Sequence, residues 1–171
     1  GLLAAGEVAR TGMHGANRTG RPFTGDYAGV LLYETLHRFG WSNQAVGIDP
    51  NDGLRLKGCR ITNAVKCLPP ENKPLPAEVK CCNQYLAVEL SGLAPGTIVL
   101  ALGNVAHKAV VMAVRGRQAD HVFAHGARHD LPTGLTLFDS YHCSRYNTQT
   151  RRLTPDMFRA VFESIDVALG R

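Results

Sequence analysis

The run Thr97-Ile-Val-Leu-Ala-Leu102, followed at once by Gly103, decides the fold class. It carries no charge and no polar alternation, the pattern of a strand buried on both faces in a parallel sheet. Gly103 then leads into a helical pattern over residues 106–114. The same order recurs on either side. Upstream, residues 2–8 read as a strand. Residues 28–39 read as a helix with Leu31, Leu32, Thr35, Leu36 and Phe39 on one face. A short strand over 58–64 and a helix over 77–90, entered through Pro76, follow. Downstream, residues 135–140 form a strand. Thr154-Pro155-Asp156 is a helix start, with Thr as N-cap, Pro in the first position and Asp near the positive helix end. That helix runs to about residue 168. Strand, loop and helix in repetition predict a parallel sheet covered by helices on both faces.

Composition narrows the class. The chain has 171 residues, with 19 Lys and Arg against 14 Asp and Glu, a net charge of +5. Its apolar fraction of 44 % and charged fraction of 19 % exclude a disordered or fibrous chain. One domain over residues 1–171 is expected. The chain opens at Gly1 directly in a strand, so a missing N-terminal segment is expected. No apolar run is long enough to span a membrane. The five cysteines are odd in number and include the adjacent pair Cys81-Cys82, which fits a reducing, cytoplasmic setting. A pI near 9.1 permits a nucleic-acid partner.

In such sheets ligands bind beyond the carboxyl ends of the strands. Three loops there, over 6–29, 63–76 and 141–153, hold most of the reactive side chains. Gly15 and Gly20 have the spacing of a phosphate-binding loop, but Arg21-Pro22 stands where that loop needs Lys and then Ser or Thr. No G-x-G-x-x-G follows the first strand. His121, His125 and His129 are spaced by four and would share a face on a zinc-binding helix. Val122, Phe123 and Gly126 argue against a helix there, and solvated strand-end histidines are expected.

Three blocks carry a specific resemblance. His14-Gly-Ala-Asn-Arg-Thr-Gly-Arg-Pro-Phe-Thr-Gly-Asp26 resembles the first signature of family 5 uracil-DNA glycosylases. Ile61-Thr-Asn-Ala-Val-Lys-Cys67-Leu-Pro-Pro-Glu-Asn-Lys-Pro74 is similar to the second. Ser140-Tyr-His142-Cys-Ser144-Arg-Tyr-Asn147-Thr-Gln-Thr-Arg-Arg-Leu-Thr154 resembles the last, an H-P-S-x-x-N motif. The blocks fall in order and span nearly the whole chain. The resemblance implies a three-layer α/β/α sandwich with a central four-stranded parallel sheet. It also implies a monofunctional enzyme, expected as a monomer, that flips uracil out of DNA and hydrolyses the N-glycosidic bond. An abasic site remains.

The resemblance assigns roles by position. His142 matches the histidine that donates to a base oxygen as charge develops there. Asn63 matches a base-reading amide, which offers both a donor and an acceptor. Phe23 is the expected stacking platform, and Gly6 lies in the base pocket. Asp26 and Glu7 compete to hold the attacking water. Asp26 matches family 5, although Asp before a helix is also a good N-cap. Gly6-Glu7 instead resembles the related family 4. Ser144, Arg145, Tyr146, Asn147, Arg151 and Arg152 are expected at the DNA, the arginines on phosphates, and His107 is expected to press the opposite backbone.

The sequence also departs from the pattern. Cys143 replaces the usual Pro of the last motif, and residues 8–13 lack the family proline. Related enzymes hold a 4Fe-4S cluster on four cysteines. Cys67 and Cys82 match one pair, and nothing in this chain matches the other. No cofactor is therefore expected here, and a cluster only in a longer form. Two other classes stay open: a lesion-binding or abasic-site-binding relative with little turnover, and a nucleoside hydrolase, against which the basic last loop argues.

Overall fold

A computed structural model describes residues 1–8, 22–49, 51–65 and 75–171. Its strands are β1 (Leu2–Val8), β2 (Cys59–Val65), β3 (Ile98–Leu102), β4 (Arg128–Asp130) and β5 (Thr136–Ser140). Its helices are α1 (Tyr27–Arg38), α2 (Pro76–Ser91), α3 (Asn104–Ala113), α4 (Arg145–Gln149) and α5 (Pro155–Leu169), with a 3-10 turn at Gln118–Asp120. The sheet order is β2-β1-β3-β5-β4. The first four strands of that order are parallel, and β4 runs antiparallel to β5 at the edge.

Side-chain alternation along the strands builds two cores. Leu2 and Ala4 of β1, Ile98, Leu100 and Leu102 of β3, and Phe138 of β5 face one way. They pack against Leu32 and Leu36 of α1 and against Phe158, Phe162 and Ile165 of α5. Leu3, Ala5, Val99, Ala101 and Leu137 face the other way, against Leu86 and Leu90 of α2 and Ala106, Val110 and Val111 of α3. Each large apolar side chain so buried contributes roughly 1.5–3 kcal/mol. The result is the expected three-layer sandwich.

The helix ends follow local chemistry. Thr154 Oγ1 accepts from the Met157 N–H at 3.2 Å, and Pro155 opens α5. Pro76 opens α2, where Glu78 Oε2 accepts from the Leu75 N–H at 2.8 Å. Among the described residues, no helix is long and apolar enough to cross a membrane.

Two elements correct the sequence reading. The sheet has five strands rather than four, because the hairpin at Leu131 to Leu135 returns β4 alongside β5. β4 reads Arg-His-Asp and carries no apolar run, as suits a short edge strand. The loop over 141–153 contains α4, whose five polar residues show no helical periodicity.

Candidate active site

The carboxyl ends of β1, β2 and β5 bring together the described parts of the three signature blocks. Gly6 lies opposite Asn63 in the β1–β2 register. The Phe23 ring sits on Gly6: a Cβ there would lie 2.4 Å from Phe23 Cζ. Phe23 adopts a left-handed conformation with φ of 64°, which is costly for an aromatic residue. Its surroundings hold it there. The Phe23 carbonyl accepts from the Asp26 N–H at 3.3 Å, and a Cβ on Gly29 would come within 2.1 Å of that same oxygen. The Tyr33 hydroxyl, from inside α1, donates to the neighbouring Pro22 carbonyl. The His142 ring stands 6.0 Å from the Phe23 ring, tilted by 46°. Asn63 is buried and His142 half-buried. Four expected pocket residues, Gly6, Phe23, Asn63 and His142, thus line one end of the sheet.

The segment carrying His142 is tied at successive backbone groups. Gly126 N–H donates to the Asp139 carbonyl at 2.8 Å, and the Asp139 N–H donates to the Ala127 carbonyl at 2.9 Å. The Ser140 carbonyl accepts from the Gly103 N–H at 2.8 Å. The Tyr141 N–H donates to His125 Nδ1 at 3.1 Å. The His142 carbonyl accepts from Asn147 Nδ2 at 2.8 Å. Ser144 caps α4 through Asn147 N–H. Ser144 and Asn147 therefore shape the turn that presents His142.

Asp26 occupies the N-cap position of α1, yet its carboxylate makes no capping bond to the helix. It lies close enough to Cys143 to act on its charge. Burial, with Asp26 adding to it, pushes the Cys143 thiol up to about 12. Cys143 is therefore a buried neutral thiol, filling the place of the family proline. Glu7 lies on β1 next to Gly6, and its side chain falls outside the described residues.

On the rim, Arg145 sits 5.7 Å from the Tyr27 ring centre and Arg152 4.8 Å from that of Tyr141. Tyr146 is 70 % exposed, and Arg151 is exposed. These side chains form an open, cationic and aromatic edge beside His142.

His107 is placed otherwise than expected. It is 1 % exposed on α3 and cannot reach a DNA backbone. Its Nδ1 lies 2.8 Å from Asp139 Oδ1 and its Nε2 2.8 Å from the His121 carbonyl. Both partners are acceptors, so the ring donates at both nitrogens and is an imidazolium. His129 Nε2 meets the second Asp139 oxygen at 3.0 Å. His107, His129 and Asp139 offer three ligand atoms within 4.8 Å of one another. A doubly donating His107 leaves no lone pair for a metal, and the cluster is a buried ion pair. His121, His125 and His129 are half-buried and bonded rather than solvated.

The adjacent pair Cys81-Cys82, read from the sequence as the mark of a reducing setting, includes a disulfide-bonded cysteine, Cys82. Cys59, Cys81 and Cys143 are free, and Cys82 is buried on α2 and disulfide-bonded. Among the described residues no three cysteines converge, and Cys67 lies outside them. The described residues alone do not supply the four thiolates of a 4Fe-4S cluster.

With this geometry in place, a family profile described as the uracil DNA glycosylase superfamily matches residues 10–166. The chain belongs to the uracil-DNA glycosylase superfamily. A type-5 uracil-DNA glycosylase of Thermus thermophilus is 48 % identical over 150 residues, covering 88 % of this chain and 68 % of that protein. One of Mycobacterium bovis is 42 % identical over 159 residues, covering 92 % and 59 %. A type-4 uracil-DNA glycosylase of Thermotoga maritima is 32 % identical over 145 residues, covering 80 % and 65 %. This superfamily member therefore spans about 59 to 68 % of the length of these curated relatives. The sequence missed Asp139, His125 and Gly29. Asp139 and His125 work through contacts with His107 and Tyr141, far along the chain, and Gly29 through its close approach to the Phe23 carbonyl, and no local pattern marks such contacts.

Proposed function

We propose that this chain is a uracil-DNA glycosylase of the type-5 kind, which takes uracil out of the DNA stack and hydrolyses its N-glycosidic bond. The observation that carries this reading is the meeting of Gly6, Phe23, Asn63 and His142 at one end of the sheet. A flipped base needs a flat apolar surface, an edge-reading amide and a donor at the oxygen that gains charge. Phe23, Asn63 and His142 supply these in turn, and the missing side chain at Gly6 leaves room for the Phe23 ring.

In the reaction the C1′–N1 bond breaks and its electron pair passes to the base. His142 donates a hydrogen bond to the base oxygen where that charge accumulates. Water adds its hydroxide to C1′, and its proton neutralises the released base. Asp26 is assigned the water, because it matches the family 5 aspartate after Pro22-Phe23-Thr24-Gly25 and its backbone N–H is held by the Phe23 carbonyl, beside the assigned base platform. Arg145, Arg151 and Arg152 take phosphates, and Tyr146 packs against the strand at the site of flipping. The chemistry is assigned to side chains. A cluster on Cys67 and Cys82 would need the Cys82 disulfide reduced and two further thiolates. The reading includes a monomer acting in the cytoplasm.

The test is cleavage of a labelled duplex with one U·G pair at enzyme excess, followed by alkali. Uracil-dependent strand breaks support the reading. Asp26→Asn and Glu7→Gln then separate the two water candidates, the true one losing about 10²-fold or more. Tight uracil-dependent binding with intact strands would replace the enzyme by a lesion-binding protein.

A further inference from the structure

We propose that His125 is a positioning residue for His142, holding the turn before it through the Tyr141 main chain and doing so only as a neutral imidazole. The proposal rests on the assignment of His142 to the base pocket.

Of the backbone groups leading into His142, those of Asp139 and Ser140 are held by other backbone groups. The Tyr141 N–H is held by a ring, His125 Nδ1, at 3.1 Å. Tyr141 directly precedes His142, so this bond fixes the peptide from which His142 projects. The two rings also stack, with centroids 5.0 Å apart and 17° between planes. Arg152 covers Tyr141 at 4.8 Å, and Phe123 leans on it at 6.1 Å. His125 is thus bonded to Tyr141 and stacked on it at once.

The bond dictates the protonation state. A backbone N–H can donate to Nδ1 only if that nitrogen keeps its lone pair. Protonation would set two N–H groups against each other and release the Tyr141 peptide. The surroundings favour the neutral ring. Burial lowers its proton affinity below the ordinary value, which a hydrogen bond to the Met157 backbone only partly offsets. The groups described around His125 are the Tyr141 ring and the Met157 backbone, and the charged group nearest in the same cluster is Arg152, over the Tyr141 ring. No carboxylate is described as bonded to His125, in contrast to His107 and His129 on Asp139.

Three substitutions separate the parts. His125→Phe keeps a stacking ring and removes the acceptor. His125→Asn restores an acceptor near the Nδ1 position without a titrating group. His125→Ala removes both. Single-turnover uracil excision and duplex binding are measured from pH 5 to 8, with melting temperature as a control for folding. At pH 7.5, His125→Phe should excise about 10- to 100-fold more slowly, the scale expected when a reacting group is displaced by about 1 Å. Its affinity for DNA should change less than about threefold, since His125 contacts the Tyr141 main chain and ring and is not among the residues assigned to phosphates. His125→Asn should recover most of the rate. The wild-type rate should fall as pH drops below the ordinary histidine value of 6.5. The Asn variant should lack that limb.

A second readout does not depend on excision. In nitrogen-edited NMR spectra the Tyr141 amide should titrate together with the His125 ring, and the His142 ring signals should move in His125→Phe. A folded Phe variant with wild-type rate, or an Asn variant keeping the wild-type acid limb, overturns the proposal. So does a Tyr141 amide that ignores His125. If the wild type excises nothing while the amide titration is seen, the positioning role stands and the assigned reaction falls.

Discussion

His107 Nδ1 lies 2.8 Å from Asp139 Oδ1 in a pair closed to solvent, with side chains 1 % and 0 % exposed. Asp139 stands on β5 three residues before His142, and the pair fastens α3 to the strand that leads into the His142 turn. Burial alone would lower the proton affinity of His107. The hydrogen bond and charge of Asp139, with the His121 carbonyl, outweigh it and raise the value above 6.5. The raised folded value sets the sign. This stabilisation is fully present below pH 6.5 and is lost as pH rises through the folded value. Thermal unfolding at a series of alkaline pH values should show a decline that His107→Phe lacks.

Removing one partner should cost more than removing both. His107→Ala leaves Asp139 as a buried, partly uncompensated charge and should destabilise by about 3–5 kcal/mol. His107→Phe combined with Asp139→Leu should recover much of that loss in urea unfolding, because both desolvation costs disappear together. Equal loss in the single and double variants would mean that packing, not charge, dominates at this site.

Two glycines should respond differently to a methyl group. At Gly29 the added Cβ would meet the Phe23 carbonyl at 2.1 Å, and a backbone atom cannot swing aside. Gly29→Ala should therefore lose about 1–3 kcal/mol of stability. At Gly6 the clash, at 2.4 Å, is with the tip of the Phe23 ring. Gly6→Ala should lose less stability but more activity, since the ring that moves is the assigned base platform. Paired melting and single-turnover measurements decide this.

Asn147 should affect rate more than DNA affinity. Its Nδ2 donates to the His142 carbonyl at 2.8 Å. Asn147→Ala should slow excision about 10-fold or more through a looser catalytic turn. By contrast, Arg151→Ala and Arg152→Ala should weaken binding to any sequence and each reduce the salt slope by about one. Titrations at several salt concentrations separate the two behaviours. A large loss of affinity in Asn147→Ala would return that residue to the DNA backbone.

β3 was legible because it is an unbroken apolar run, Ile98–Leu102, and the long helices because of periodicity or caps, as at Thr154-Pro155. β1, β2 and β5 each carry polar residues and were read mainly from their place in the repeating strand, loop and helix order. β4 escaped because an edge strand of Arg-His-Asp has no buried face to leave a pattern. α4 escaped because its five residues are polar throughout. The residues assigned to the pocket, Gly6, Phe23, Asn63 and His142, were named through the resemblance of three blocks, and the fold brings these four residues to one end of the sheet. His107 was misplaced, since it was set at the DNA backbone although it falls in the helical pattern over 106–114, and nothing local marks it as buried. Only the distant Asp139 explains its burial on α3. The bond from the Tyr141 N–H to His125 was equally illegible, being a contact across 16 residues, and the spacing of His125 suggested only a metal motif.

The most direct test of the central claim is chromatographic detection of the free base released from a U·G duplex at enzyme excess, for the wild type and for His142→Ala. The account predicts one uracil freed per duplex, matched by one abasic site. It predicts a loss of about 10²- to 10³-fold in His142→Ala with DNA binding retained, the scale of removing a donor at a developing oxyanion. No free uracil from a well-folded wild type, or equal release by His142→Ala, would contradict it.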